Sequence, residues 1–164
     1  MTTPDHRLPV RVYYEDTDLA GIVYYANYLK FIERGRSEWV RALGIDQAAL
    51  KAALGLVFAV RRVEADYLRP ARFGDDLVVT TRLAAVTGAR ILLEQDVLRG
   101  AELLFAAQVT LVCLGDDGAA ARVPAEIRQK MSAGLHQAAV FPGADVRLDT
   151  SLDADVLAFP LKHR

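Results

Sequence analysis

The chain has 164 residues, 52% of them hydrophobic, with 20 basic and 21 acidic residues and a net charge of −1. That is enough apolar material for one packed domain, and too balanced a charge to hold nucleic acid or an anionic membrane through a global field. A single cysteine, Cys113, excludes an intramolecular disulfide and a multi-thiolate metal site. With no secretory pattern in MTTPDHRLP and no apolar run of about 18 residues, a soluble cytoplasmic protein without a transmembrane segment is expected.

Residues 8–14, LPVRVYY, are β-branched and aromatic and predict a first strand, broken by the turn-like EDTDLAG. From about Ala26 to Leu43, Tyr28, Leu29, Ile32, Gly35, Trp39 and Leu43 recur at three- and four-residue steps. Lys30, Glu33, Arg34, Glu38 and Arg41 gather opposite, so the pattern predicts one amphipathic helix ended by Gly44. Gly35 in its apolar stripe lets a sheet come close to the helix axis.

A short helical turn is expected over Leu50–Leu54, followed by a strand in LVFAVRRVEADY. Turn chemistry at Thr87-Gly88 and at Gly100 then separates LVVTTRLAAV, RILLEQDVL and ELLFAAQVTLVCL into three sequential antiparallel strands. In the middle one Ile91, Leu93 and Val97 alternate with Glu94 and Asp96, one face packed and the other polar. A strand, a long helix and a four-strand meander make an α+β unit, an antiparallel sheet wrapped around one central helix. After RVPAEIRQKM the chain loses its period. The domain is therefore expected over 1–135, with a C-terminal extension of unknown role over 136–164.

Most enzyme classes lack their residues here. His6, His136 and His163 fall near the termini, outside patterned elements, which argues against Ser-His-Asp, Cys-His and histidine-dependent dehydratase chemistry. No glycine-rich phosphate loop follows a strand, and no His or Cys pair has metal-ligand spacing. Cys113 keeps register with Phe105, Val109 and Leu111 and is expected in the core.

There remains Tyr14-Glu15-Asp16-Thr17-Asp18-Leu19-Ala20-Gly21-Ile22-Val23-Tyr24-Tyr25, leading straight into the helix, with two aspartates set between apolar and aromatic runs. One reading is an Asx-type turn in which these side chains cap backbone amides. The other uses the helix entrance. Unpaired N–H groups there polarise the carbonyl of an acyl group, while a loop carboxylate attacks it or draws a proton from water.

The run VRVYYEDTDLAGIVYYANYLKFIERGRSEWVRALGI resembles the signature of the Tol-Pal-associated acyl-CoA thioesterases and of the 4-hydroxybenzoyl-CoA thioesterases, both hotdog-fold families. Tyr14, Asp16, Asp18, Gly21, Tyr24-Tyr25, Asn27, Tyr28 and Glu33-Arg34 carry the match. ADYLRPARFGDDLVV and RVPAEI extend it to about residues 8–131. The resemblance implies that Asp18 is the catalytic carboxylate, that Asp16 is structural, and that the Tyr25 backbone N–H polarises the carbonyl. Tol-Pal-associated members usually carry histidine where this chain has Tyr25, as the hydroxybenzoyl enzymes have tyrosine; this leaves the acyl class open.

The resemblance also implies at least a homodimer joined edge to edge through its sheets, with tetramers common. It implies acyl-CoA as the substrate, with acyl carrier protein as an alternative carrier, and coenzyme A entering only as part of the substrate, with no cofactor. Arg90 and Arg122 are the expected holders of its phosphates. The competing expectation from another class is a non-catalytic module binding an acyl chain or acyl carrier protein near the cell envelope.

Overall fold

The computed structural model describes residues 6–133, so the expected extension and its two histidines lie outside the described residues. The elements are β1 (His6–Arg11), α1 (Asn27–Ala42), α2 (Gln47–Leu54), β2 (Val57–Tyr67), β3 (Asp76–Val86), β4 (Ile91–Arg99), β5 (Glu102–Leu114), β6 (Ala120–Ala121) and α3 (Ala125–Ser132). They build one antiparallel sheet in the order β1-β3-β4-β5-β2, with the short β6 added to β5, around α1. This is the sheet-around-helix α+β arrangement expected.

The topology differs from the meander in one respect. β3, β4 and β5 follow one another, but β2 pairs with β5 and β1 with β3, so β2 forms the edge farthest from β1. The pattern of a strand shows which face is buried and is silent on which neighbour it takes.

Helix α1 buries Asn27, Tyr28, Phe31, Ile32, Gly35, Trp39 and Val40. Phe31 and Val40 replace two members of the expected stripe, since Leu29 is 41% exposed and Leu43 is only partly buried. Gly35 faces β3, where an added Cβ would sit 2.6 Å from Val79 Cγ1, so the absent side chain sets the depth of the helix against the sheet. The helix ends at Gly44, whose φ of 75° a side-chain-bearing residue rarely adopts. Helix α2 is longer than expected because Asp46 caps it, its carboxylate accepting from the Ala49 N–H at 3.0 Å.

The alternation of β4 holds: Ile91, Leu93 and Val97 are fully buried. Gln95 shares their face and is equally buried, a polar residue in the core between sheet and helix. Cys113 is buried as expected, and burial pushes its thiol pKa up. One expectation about the histidines is corrected: His6 opens β1 opposite Thr81. Five residues of strand, about 17 Å at the usual rise, separate it from Arg11 and the loop that follows.

Candidate active site

Between β1 and α1 the chain folds back on itself. Thr17 bridges Val23, the Tyr24 N–H donates to the Asp16 carbonyl at 2.8 Å, and the Asp18 N–H donates to the Ile22 carbonyl at 2.9 Å. Gly21, at φ 76°, makes the reversal.

The two aspartates part ways. Asp16 is buried, its carboxylate accepts from the Tyr13 N–H at 2.8 Å, and its carbonyl accepts from the Asn27 side-chain amide at 2.9 Å. Asp18 is exposed, with Oδ1 accepting from the Ala20 N–H at 2.8 Å. That contact is the Asx turn anticipated as one reading. It occupies one carboxylate oxygen and leaves Oδ2 open. The burial expected of both carboxylates from their apolar surroundings therefore applies to Asp16 alone in a single protomer.

Tyr25 stands two residues ahead of the first helical residue, within a turn closed by the Asn27 N–H on the Tyr24 carbonyl at 2.8 Å. Its own N–H donates to no acceptor among the described residues. Its carbonyl accepts from the Tyr67 hydroxyl at 2.9 Å. The ring packs edge-on against Tyr24 and Tyr67, and Tyr67 in turn meets Tyr28 and Phe105. An aromatic floor thus runs from the exposed Tyr24 to the buried Tyr28 at the mouth of the helix.

Burial pushes the Tyr28 phenol pKa up, and the Ala71 N–H that donates to its oxygen at 2.9 Å partly counters this. Burial likewise raises Tyr67. Neither tyrosine is a ready proton donor near neutrality; of the three carboxylates in the segment Asp16 is buried, while Glu15 and Asp18 are exposed, Asp18 within the reversal that leads to Tyr25.

Arg90 and Arg122 come together, but not here. Arg90 closes the turn between β3 and β4, and Arg122, just after β6, lays its guanidinium over Gly88 of that turn. Arg90 lines a cleft of about 300 Å³ with Arg62, Thr87, Gln108 and Thr110, on the sheet face turned away from α1. The row Val79–Val97–Phe105–Tyr67 crosses the sheet beside Tyr25, and the row Val86–Ile91–Leu111–Val60 crosses beside the hairpin. Seven residues of β3 separate them, about 23 Å at strand rise. Asp18 and these arginines of one protomer are therefore at opposite ends of the sheet.

Sequence reasoning missed the segment 69–75, which holds the site from outside. Ala71 accepts from the Val23 N–H at 2.8 Å, and Phe73 stacks on Tyr14 with ring centroids 4.2 Å apart. The resemblance of ADYLRPARFGDDLVV to a family segment was its only signal. Among the described residues, no group of His, Cys, Asp or Glu is arranged to hold a metal, and no helix is long and apolar enough to cross a membrane.

Comparison with known proteins gives the family of the chain. Residues 12–131 match the model of the thioesterase-like superfamily. The acyl-CoA thioesterase YbgC of Haemophilus influenzae is 44% identical over 106 residues, 65% of this chain and 78% of the relative. The acyl-CoA thioester hydrolase YbgC of Escherichia coli is 40% identical over 115 residues, 70% and 85% of the two chains. The crystal structure of a probable thioesterase from Bartonella henselae superposes with a TM-score of 0.71 at 38% identity, covering 74% of this chain and all of that one.

Proposed function

The chain belongs to the thioesterase-like superfamily, and on that footing we propose that it hydrolyses acyl-CoA thioesters, with Asp18 as the reacting carboxylate and the Tyr25 N–H as the donor that polarises the carbonyl. The observation that carries this reading is the unpaired Tyr25 amide at the entrance of α1, on the same folded-back segment that presents Asp18.

In the general-base route Asp18 takes a proton from water and the hydroxide adds to the thioester carbon. The oxyanion so formed leans on the Tyr25 N–H. Collapse breaks the C–S bond, and the departing thiolate recovers the proton from Asp18. In the nucleophilic route Asp18 itself adds, thiolate leaves, and water hydrolyses the mixed anhydride. Both give free acid and coenzyme A.

Asp18 is solvated in one protomer, and a second copy supplies the enclosure. β2 is an eleven-residue edge strand with Val57, Val60 and Val63 more than a third exposed, the kind of edge that pairs with another strand. Centred antiparallel pairing of β2 with its own copy sets the Tyr67 end of one chain beside the Val57 end of the other. The partner copy's β3–β4 hairpin, with Arg122 over its turn and Arg90 on its outer face, then approaches the Asp18 end of the first chain, and we propose these two as the cations that meet the coenzyme A phosphates where they leave the seam. We assign the enzyme to the cytoplasm as a homodimer or a pair of dimers.

The test is free-thiol release from short aliphatic, long aliphatic and aromatic acyl-CoAs. Turnover of at least one class with equimolar acid is expected. Tight acyl-CoA binding without thiol release would replace the hydrolase with the binding module.

A further inference from the structure

The segment 69–75 between β2 and β3 is pinned to the end of β4 by one side chain. Arg99, the last residue of β4, donates from Nη1 to Asp75 Oδ2 at 2.7 Å and to the Pro70 carbonyl at 3.4 Å. From Nε and Nη2 it donates to Glu102 Oε2 at 3.2 and 2.7 Å. Both partners of the Arg99–Asp75 pair are partly buried, their side chains 33% and 22% exposed. Asp75 Oδ2 accepts in addition from the Arg72 N–H at 2.9 Å, so one carboxylate oxygen ties the turn to itself and to the strand.

The segment grips the catalytic stretch on both sides of Tyr25. Ala71 is fully buried; its carbonyl accepts from the Val23 N–H at 2.8 Å, and its N–H donates to the Tyr28 hydroxyl at 2.9 Å. Ile22 bridges Arg72. Val23 lies two residues before Tyr25 and Tyr28 three after, so the direction of the Tyr25 N–H follows from where Ala71 is held. Ala71 is held by a turn whose ends are bonded through the backbone, Arg69 N–H to Leu104 and Gly74 N–H to Val12, and which Arg99 clamps across at Pro70 on one side and Asp75 on the other.

We infer that Arg99 is a positioning residue for the Tyr25 amide, an inference that rests on the reading of that amide as the thioester-polarising donor. Arginine suits the task because its planar fork reaches a carbonyl and two carboxylates in fixed directions; an ammonium group has no such fork. The Arg99 guanidinium acts through Ala71; its bonds go to Pro70, Asp75 and Glu102 and not to Asp18.

The experiment compares wild type with Arg99→Lys and Arg99→Gln in the full chain. In both variants kcat is expected to fall about ten- to hundredfold, the cost of a small misplacement of a catalytic group, with KM within about threefold. The Tyr25 amide resonance should shift in both variants. Asp75→Asn added to Arg99→Gln should lower kcat no further, since the two act as one clamp. Wild-type kcat in either folded variant, or a Tyr25 resonance that stays in place in both, overturns the inference. Absence of thiol release by the wild-type protein would sink the hydrolase reading alone, the Tyr25 resonance still deciding what Arg99 positions.

Discussion

The side-chain amide of Gln95 donates from Nε2 to the main-chain carbonyl of Ile32 at 2.8 Å, so the sheet holds the central helix through a polar bond in the middle of the core. The same nitrogen reaches Thr81 Oγ1 at 2.8 Å, and Oε1 accepts from Arg36 Nη1 at 3.0 Å. Desolvation by burial lowers the Arg36 pKa, Glu33 countering it in part. A half-buried guanidinium in that position depends on its acceptor.

Gln95→Leu keeps the volume and removes all three bonds, leaving Arg36 and Thr81 unpartnered. It should cost about 2–3 kcal/mol, read from urea midpoints at unchanged m-value. A loss below about 0.5 kcal/mol would mean that water replaces the amide.

Gly35→Ala tests how tightly α1 sits on β3. Alanine gains about 1 kcal/mol of helix propensity over glycine, but its Cβ would lie 2.6 Å from Val79 Cγ1. The overlap costs about 1–3 kcal/mol, so the net change should be destabilising. Val79→Ala in the same chain should recover part of it. Additive losses in the double variant would show that the two residues are not in conflict.

Much of this architecture is legible because burial writes a period. Tyr28, Ile32, Gly35 and Trp39 of the α1 stripe, the β4 alternation and the core register of Cys113 follow from apolar spacing alone, while Phe31 and Val40 take the places expected of Leu29 and Leu43. Two core features leave no such trace. Gln95 reads as a polar interruption of a buried face, and only its partners on α1 and β3 make it part of the core. β2 carries a strand pattern equally compatible with β3 or β5 as neighbour. At the site, the DTD run and the helix entrance stand out locally, and resemblance narrows them to Asp18 and Tyr25. The clamp through Arg99 joins residues far apart in the chain, so no local pattern exposes it.

Alkaline pH should weaken the fold through Tyr28 and Tyr67. Burial raises both phenols above the ordinary value of 10.0, so above that value the unfolded chain releases these protons before the folded one does. Stability is fully present below about pH 10 and declines as pH rises through the folded values. Tyr28→Phe should flatten part of that decline, while costing about 1 kcal/mol at neutral pH because the Ala71 N–H loses its acceptor. Unfolding midpoints across pH 8 to about pH 11 test this. An unchanged slope in the variant would assign the effect elsewhere.

Asp18→Asn separates chemistry from structure at one atom. Asparagine Oδ1 still accepts from the Ala20 N–H, so the turn survives, but the side chain neither attacks nor takes a proton at neutral pH. Turnover should drop at least about a hundredfold with melting temperature and KM little changed. Near wild-type turnover in the folded variant would remove Asp18 from the mechanism and leave it as a turn residue.

The seam between copies predicts complementation. If the phosphates bound at one Asp18 are held by the arginines of the other chain, Asp18→Asn and Arg90→Ala/Arg122→Ala proteins are defective in different halves of a shared site. The arginine variant alone should show a KM for acyl-CoA raised about tenfold or more, as expected when charge-assisted phosphate contacts are lost, with kcat largely kept. In a mixed dimer, one site joins the intact Asp18 of the arginine variant to the intact arginines of its partner. Equal amounts exchanged to equilibrium should therefore place about a quarter of all sites in wild-type form, by two-fold symmetry. At acyl-CoA far below the raised KM, the mixture should regain activity neither variant shows alone. A mixture that never exceeds the average of its components, once exchange is verified, would place both groups within one protomer or remove the arginines from the substrate.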